Sequence, residues 1–370
     1  MNLHLVPIND RILRSVNSKV YSEGWNGSKE TMAASLMQRV EDGKILARAE
    51  ADEVMEEILS GRAATAEIVS LLRGMNARPV QAQELAGFAV TMRRHAAPVF
   101  SDEQSRPAHL IDTCGTGGDG CDTFNISTAA AIVAAAAGAS VAKHGNRAAS
   151  SRCGSADVLE ALGVRVDLPV RRCGEAILEL GLGFIFAPAA HAAARHAVEA
   201  RKQMGVRTVF NLLGPLTNPA GAHAQLAGVF SSDVLEVMAA TLAELGVKRA
   251  FVVHGADGLD EISLSGETAV AEVCGGEIRR FTLTPENFGM KRAGLEALRG
   301  GSAAENAGLI RGVLNNEAGP RRDIAVMNAA AALVVSGMAT DFQEGARVAA
   351  GAISSGAAKK KLAELVEFTR

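Results

Sequence analysis

Residues 109–128 read His-Leu-Ile-Asp-Thr-Cys-Gly-Thr-Gly-Gly-Asp-Gly-Cys-Asp-Thr-Phe-Asn-Ile-Ser-Thr, and an Ala-rich run from Ala129 to Ala137 follows. The short apolar run His109-Leu110-Ile111 predicts a strand, and the alanine run predicts a helix. Between them lies a glycine loop that ends on Ser127-Thr128, residues suited to a helix start. Strand, glycine loop and helix N-terminus in succession make an anion cradle. Glycine lets backbone N–H groups come close to oxygens, and the helix start adds unpaired donors and a favourable dipole. The first inference is therefore a bound phosphate or diphosphate.

Outward from this stretch, short β-type runs alternate with helical ones. Strands are expected at 110–112, 140–142, 184–187, 225–230, 250–254, 268–273 and 278–283, with helices such as 234–245 between most of them. The alternation predicts an α/β fold with a mostly parallel central sheet and helices on both faces. The last two strands are separated by Gly275-Gly276 and predict an antiparallel hairpin at the sheet edge. Before the strand region, Ser35 to His95 has helical spacing throughout, with helices near 51–59, 66–72 and 83–92. It forms a small all-helical unit, followed by a connector over 98–107. From Asp323 to Phe368 the pattern is helical again. Residues 1–34 have no clean period and are read as an extension that is disordered or packs on the main body.

At 370 residues the chain is long enough for two domains, and 48% hydrophobic content suits a globular protein. A net charge of −3 gives no sign of a polyanion partner. The apolar stretches are Ala-rich and interrupted, so no membrane span is expected, and Met1 to Val20 lacks a signal-peptide core. Five cysteines, an odd count with no Cys-x-x-Cys, fit reduced thiols in the cytoplasm. Cys114 and Cys121 flank the glycine loop and are read as small fillers rather than ligands or nucleophiles.

Three further clusters follow predicted strands or adjoin them. Lys143-His144-Gly145-Asn146-Arg147 puts a basic loop at the strand end that faces the ligand crevice of an open α/β sheet. Two such loops, one glycine-rich and one basic, can clamp a diphosphate. His254-Gly-Ala-Asp-Gly-Leu-Asp-Glu-Ile-Ser263 places three carboxylates in a glycine turn. That set suits Mg²⁺, which takes one or two carboxylates plus phosphate oxygens and water. Arg201 to Ala220 carries two arginines and a Gly-Pro turn, and arginine pairs bidentately with a substrate carboxylate.

Together these pieces resemble the anthranilate phosphoribosyltransferase family, from about Leu36 to the C-terminus. The matching segments are Asp112–Asp119, Asn125–Thr128, Lys143–Arg147, Gly154–Gly163, Arg201–Pro219 and Asp257–Glu261, with Asn328–Ala331 and Ser355-Gly356. The resemblance implies a helical domain over 35–100, completed by helices within about 191–222, and an α/β domain over 108–370. The site would lie in the cleft between them. It implies transfer of the phosphoribosyl group from phosphoribosyl pyrophosphate to anthranilate in tryptophan biosynthesis, with two Mg²⁺ ions per site, in a cytoplasmic homodimer. No nucleic acid or membrane partner is expected.

The same resemblance assigns roles. Gly115, Gly117, Gly118, Asp119, Thr123, Asn125, Ser127, Thr128 and Lys143 would hold the donor. Ser127 would touch one Mg²⁺, while Asp260 and Glu261 would hold the second. Gly115, His144, Asn146, Arg201, Gly214 and Pro215 would surround anthranilate, with Arg201 on its carboxylate. Lys143, Asp260 and Glu261 would support catalysis, and His144 is read as a structural imidazole rather than a base. The chain departs from the family pattern in two places. His191-Ala192-Ala193-Ala194-Arg195 stands where His-Pro-Ala-Met-Lys is usual, at the acceptor's entrance. Asn76-Ala77-Arg78-Pro79 replaces a Lys-Gly-Glu-Thr turn, and this turn is expected to be remote from the chemistry. Two other classes compete with this reading. A pyrimidine nucleoside phosphorylase would need a Lys-x-Ser-Gly-Arg-type motif, which is missing. A nucleic-acid-binding relative would need a basic surface; the net charge of −3 and the intact Asp260-Glu261 pair argue against it, although Lys359-Lys360-Lys361 is a local basic run.

Overall fold

The computed structural model describes residues 32–148 and 152–370. Seven strands form one sheet: β1 (Leu110–Thr113), β2 (Ser140–Gly145), β3 (Leu182–Phe186), β4 (Ala224–Gly228), β5 (Arg249–Gly255), β6 (Thr268–Cys274) and β7 (Glu277–Leu283). Their order is β3-β2-β1-β4-β5-β6-β7. The first five strands pair in parallel, whereas β6 runs antiparallel to both β5 and β7. The seven strands and the edge hairpin agree with the sequence reading. The antiparallel β5–β6 pairing was not foreseen; it comes from the return of the chain through a tight acidic turn rather than a crossover helix.

Ahead of the sheet come α1 (Met32–Glu41), α2 (Arg48–Leu59), α3 (Thr65–Asn76) and α4 (Ala82–Arg94). Three of them begin with the same device, in which a glutamate at the third helical position turns back to the backbone N–H that precedes the helix. Glu50 accepts from Ala47 N at 2.8 Å, Glu67 from Ala64 N at 2.7 Å and Glu84 from Gln81 N at 3.0 Å. Glu84 is fully buried and also accepts from Leu46 N at 3.0 Å and from Arg78, at 2.6 Å and 2.8 Å. The variant turn at 76–79 thus brings its own arginine to neutralise a buried carboxylate.

The remaining helices are α5 (Ile126–Ala136), α6 (Ser155–Leu162), α7 (Val170–Leu180), α8 (Ala187–Ala190), α9 (Val198–Met204), α10 (Phe210–Leu216), α11 (Leu235–Glu244), α12 (Ala303–Leu314), α13 (Pro320–Val335), α14 (Phe342–Ser354) and α15 (Ala357–Thr369). Strand periodicity divides the core. Phe251 and Val253 of β5 face one layer, built largely from α5, α6 and α12–α15, while Ala250 and Val252 face the other. That second layer contains α1–α4 together with residues of α9, α10 and α11. Alanine dominates the buried faces of α5 and α13. Small side chains let these two helices and the sheet approach closely, which explains why so Ala-rich a segment is a core element and not a surface helix.

Of the extension expected over 1–34, residues 1–31 lie outside the described residues, whereas 32–34 form the first turn of α1, where Ala33 packs in the bundle. Among the described residues no helix is long and apolar enough to cross a membrane.

Candidate active site

The chain leaves β1 for β2 on one side and later returns to β4 on the other. A parallel sheet opens a crevice at such a switch point, beyond the carboxyl ends of the two strands. The glycine loop falls there because it directly follows β1. Thr116 N donates to Gly228 O at the end of β4 (2.9 Å), and Thr116 Oγ1 accepts from Phe230 N (3.1 Å). Gly117, Gly118 and Gly120 all have φ between +65° and +77°, the left-handed region in which a side chain is strained. The loop's far end is pinned by Phe124 N to Leu298 O (3.0 Å) and Gly300 N to Asp122 O (2.8 Å), with Thr123 bridged to Arg299.

Facing this loop is the turn after β5. Asp260 Oδ2 accepts from Gly117 N at 2.7 Å, and Glu261 Oε1 accepts from Ser127 N at 3.0 Å in the first turn of α5. Two glycines make the approach possible. A Cβ on Gly115 would lie 2.7 Å from Asp260 Oδ2, and one on Gly228 would lie 1.5 Å from the Asp260 carbonyl oxygen. Asn328 of α13, fully buried, holds the turn from behind: its Oδ1 accepts from Ile262 N (3.0 Å) and its Nδ2 donates to Ile262 O (3.1 Å). Burial and mutual repulsion push both carboxyls up, Asp260 with Asp119 beside it and Glu261 with Asp260 beside it. Among the described residues no group of three His, Cys, Asp or Glu could hold a metal by itself. Two half-buried carboxylates and a serine hydroxyl at the mouth of an anion cradle nonetheless fit Mg²⁺, a hard cation that completes its shell with substrate oxygens and water.

Lys143 of β2 is buried, with its ammonium donating to Thr113 O (2.7 Å) and Ser127 Oγ (3.2 Å). Two of its three N–H groups therefore act inside the protein and one remains for a ligand. His144 next to it is also buried; its Nδ1 lies 3.2 Å from Gly214 O and its ring is edge-on to His191 at 5.2 Å. Burial pushes His144 down to about 3 and His191 to about 4, so both imidazoles are neutral near pH 7. Gly214 and Pro215 lie in α10, whose first residue Phe210 carries the Arg201 guanidinium 5.3 Å from its ring. Arg201 has no carboxylate partner among the described residues. Asn146 is exposed and its Oδ1 accepts from Arg147 N (2.7 Å), whereas Arg147 is taken up by Asp157 and Glu160 of α6.

Buried polar atoms without a protein partner gather around the same strand ends: Asp112 Oδ2, Thr113 Oγ1, Thr128 Oγ1 and His144 Nε2. Such atoms are uncommon in a folded interior and mark a place where a ligand or water completes the set. Asn125 differs, since its Nδ2 donates to Cys153 O (3.1 Å) and its Oδ1 accepts from Asn306 of α12 (2.9 Å). That side chain is largely engaged in shaping the loop. Asp119 is likewise engaged, accepting from Cys121 N (3.1 Å) and Asp260 N (3.4 Å).

Sequence reasoning missed several contributors. Asn306 and Gly228 support the site without a motif of their own, and Asn328, inside the matching segment Asn328–Ala331, carries no assigned role in the sequence reading. Asp112, fully buried, accepts from His144 N at 3.2 Å and so sets the end of β2; burial pushes it up to about 6. The turn at 76–79 is not remote. Asn76 Nδ2 donates to Arg207 O (2.8 Å), and the Arg207 guanidinium donates to Gly118 O.

The fold and cleft define a glycosyl transferase built from a helical bundle and an α/β domain. Residues 34–96 match the family model described as glycosyl transferase family, helical bundle domain, and residues 107–359 match its a/b domain. The anthranilate phosphoribosyltransferase of Pelotomaculum thermopropionicum is 51% identical over 91% of this chain and 97% of its own length. That of Moorella thermoacetica is 48% identical over 91% and 98%. The crystal structure of the Thermus thermophilus enzyme superposes with a TM-score of 0.85 at 46% identity, covering 90% of this chain and 99% of that one. The Saccharomyces cerevisiae enzyme in complex with PRPP and Mg gives a TM-score of 0.82 at 27% identity, over 91% and 97%. The chain belongs to the anthranilate phosphoribosyltransferase family.

Proposed function

We propose that this chain transfers the phosphoribosyl group of 5-phosphoribosyl 1-pyrophosphate to the amine of anthranilate, releasing N-(5-phosphoribosyl)anthranilate and diphosphate, a step of tryptophan biosynthesis. One observation carries the reading: the glycine loop, the start of α5, Lys143 and the Asp260–Glu261 turn converge at the β1/β4 switch point. The relatives favour this acceptor over a nucleoside or a nucleic acid.

The C1–O bond of the ribose breaks as the amine nitrogen forms a C–N bond from the opposite face, and the amine's proton is lost to solvent. Backbone N–H groups of the loop and of α5 bind the diphosphate, and the free N–H of Lys143 stabilises its growing charge. Bound Mg²⁺, two ions per site, would neutralise the leaving group; Ser127 would hold one ion, and Asp260 and Glu261 the other. Arg201 takes the anthranilate carboxylate, and Asn146, His144, Gly214 and Pro215 wall its ring. The neutral His144, tied to Gly214 O, serves as wall and not as base. An aryl amine is unprotonated near pH 7, so positioning supplies most of the rate. The working form is a homodimer in the cytoplasm.

Anthranilate is fluorescent, and its signal should fall when the protein, the phosphoribosyl donor and Mg²⁺ are all present. A signal that persists with every component at saturation defeats the reading.

A further inference from the structure

The glycine loop has little to hold its middle. Gly117, Gly118 and Gly120 impose no preference of their own on the backbone, and a glycine-flanked peptide can rotate at low energetic cost. Rotation matters here, because an anion cradle works only if N–H groups, not carbonyls, face the anion. In a trans peptide the C=O of one residue and the N–H of the next point in opposite directions. Whatever holds the Gly118 carbonyl therefore also aims the Asp119 N–H.

That carbonyl accepts from the Arg207 guanidinium. Arg207 lies between α9 and α10, and it has no carboxylate partner among the described residues. Its guanidinium stacks 4.5 Å from the centre of the Phe230 ring, and Phe230 N donates to Thr116 Oγ1 at 3.1 Å. One aromatic residue thus supports both the loop's first turn and the arginine on its middle. The Arg207 carbonyl is held in turn by Asn76 Nδ2 at 2.8 Å, from the last residue of α3. Asn76, Arg207 and Gly118 make a continuous strap from the helical bundle across to the loop.

We propose that Arg207, held by Asn76, is a positioning residue for the phosphorylated donor: it locks the Gly118–Asp119 peptide with the Asp119 N–H free for the diphosphate. This rests on the phosphoribosyl-transfer reading above. The strap opposes a peptide flip that would turn a carbonyl towards the anion. It acts on the donor and not on anthranilate, because the loop residue it holds is Gly118, which is assigned to the donor alone.

The test is steady-state kinetics on the full chain, varying each substrate with the other saturating. Arg207→Ala should raise KM for phosphoribosyl pyrophosphate by roughly ten- to a hundredfold, the range of one hydrogen bond to a charged group. KM for anthranilate and kcat should stay within about twofold. Asn76→Ala should raise the donor KM by about threefold, and the double variant should be no worse than Arg207→Ala, because the two act as one unit. Both residues are exposed, so melting temperatures should match the wild type. An unchanged donor KM in Arg207→Ala overturns the proposal. So does a silent Asn76→Ala beside an impaired Arg207→Ala, which would mean that the arginine contacts the donor directly. Calorimetry of the wild type with the donor and Mg²⁺ separates the two levels: no heat of uptake defeats the parent reading, whereas normal uptake with a silent Arg207→Ala defeats only the strap.

Discussion

Replacing Gly228 by alanine tests the proposed site from a position that touches no substrate. A Cβ built there lies 1.5 Å from the Asp260 carbonyl oxygen and 2.4 Å from its carbonyl carbon. Real Cβ atoms do not come within 3.0 Å of another heavy atom, so the Asp260 backbone must retreat by about 1.5 Å at least. It cannot retreat freely, because Asn328 holds Ile262 through two hydrogen bonds two residues on. Overpacking of this kind costs about 1–3 kcal/mol of stability. The effect on rate should be larger in proportion. A working site tolerates about 0.5 Å, and a displacement of about 1 Å costs roughly a hundredfold. The variant should remain folded, lose about a hundredfold in kcat/KM, and need more Mg²⁺ to reach half its maximal rate. Gly308→Ala is the control: it lies exposed in α12 with nothing within 4 Å of its Cβ, and should leave the rate unchanged while adding up to about 1 kcal/mol of stability. If Gly228→Ala keeps wild-type activity at limiting Mg²⁺, the Asp260–Glu261 turn is not the metal-holding element.

Arg201→Ala should mainly raise KM for anthranilate, by about tenfold or more, since a carboxylate would lose its paired guanidinium; an unchanged KM removes Arg201 from that role. His144→Asn should change the pH dependence of stability with a definite sign. The unfolded chain takes up a proton at this residue below its ordinary 6.5, while the folded protein does not until about 3. Stability from this residue is therefore present above pH 6.5 and lost as pH falls through that window. Denaturant melts at about pH 7 and pH 5 should show the wild type losing about 2 kcal/mol more than the variant, and parallel losses would contradict the buried, neutral imidazole. Arg78→Ala should destabilise the helical bundle by about 3 kcal/mol, because it strips the buried Glu84 of its paired guanidinium; a melting temperature equal to wild type would show that the backbone N–H groups around Glu84 suffice.

Much of the architecture was legible because it is written locally. The seven strands announce themselves as short β-type runs at regular intervals, and Gly275-Gly276 can only be a tight reversal. The glycine loop was legible as an anion cradle because strand, glycines and helix start are consecutive in the chain. Arg207 and Asn76 were not legible as partners, since 131 residues separate them. The turn at 76–79 looked remote for the same reason: its distance from Gly118 along the chain says nothing about a path through Arg207. Asp112 was part of the quoted motif, yet nothing local distinguishes a solvated aspartate from one whose carboxylate sets the end of a neighbouring strand. Asn125 shows the converse. Its position suggested a ligand contact, and only the packing of α12 reveals that Asn306 engages its side chain.

From sequence alone came the period of each element, the positions at which glycine permits a left-handed turn, and the residue types able to bind phosphate, carboxylate and magnesium. These depend on backbone sterics and side-chain chemistry, which every residue carries with it. The tertiary structure alone decided which groups meet. The strand order puts β4 beside β1, the absence of side chains at Gly115 and Gly228 lets the Asp260–Glu261 turn close over the loop, and the bundle reaches the same loop through Arg207. Proximity between distant segments follows from how the whole sheet is wound, and no window of neighbouring residues contains that information.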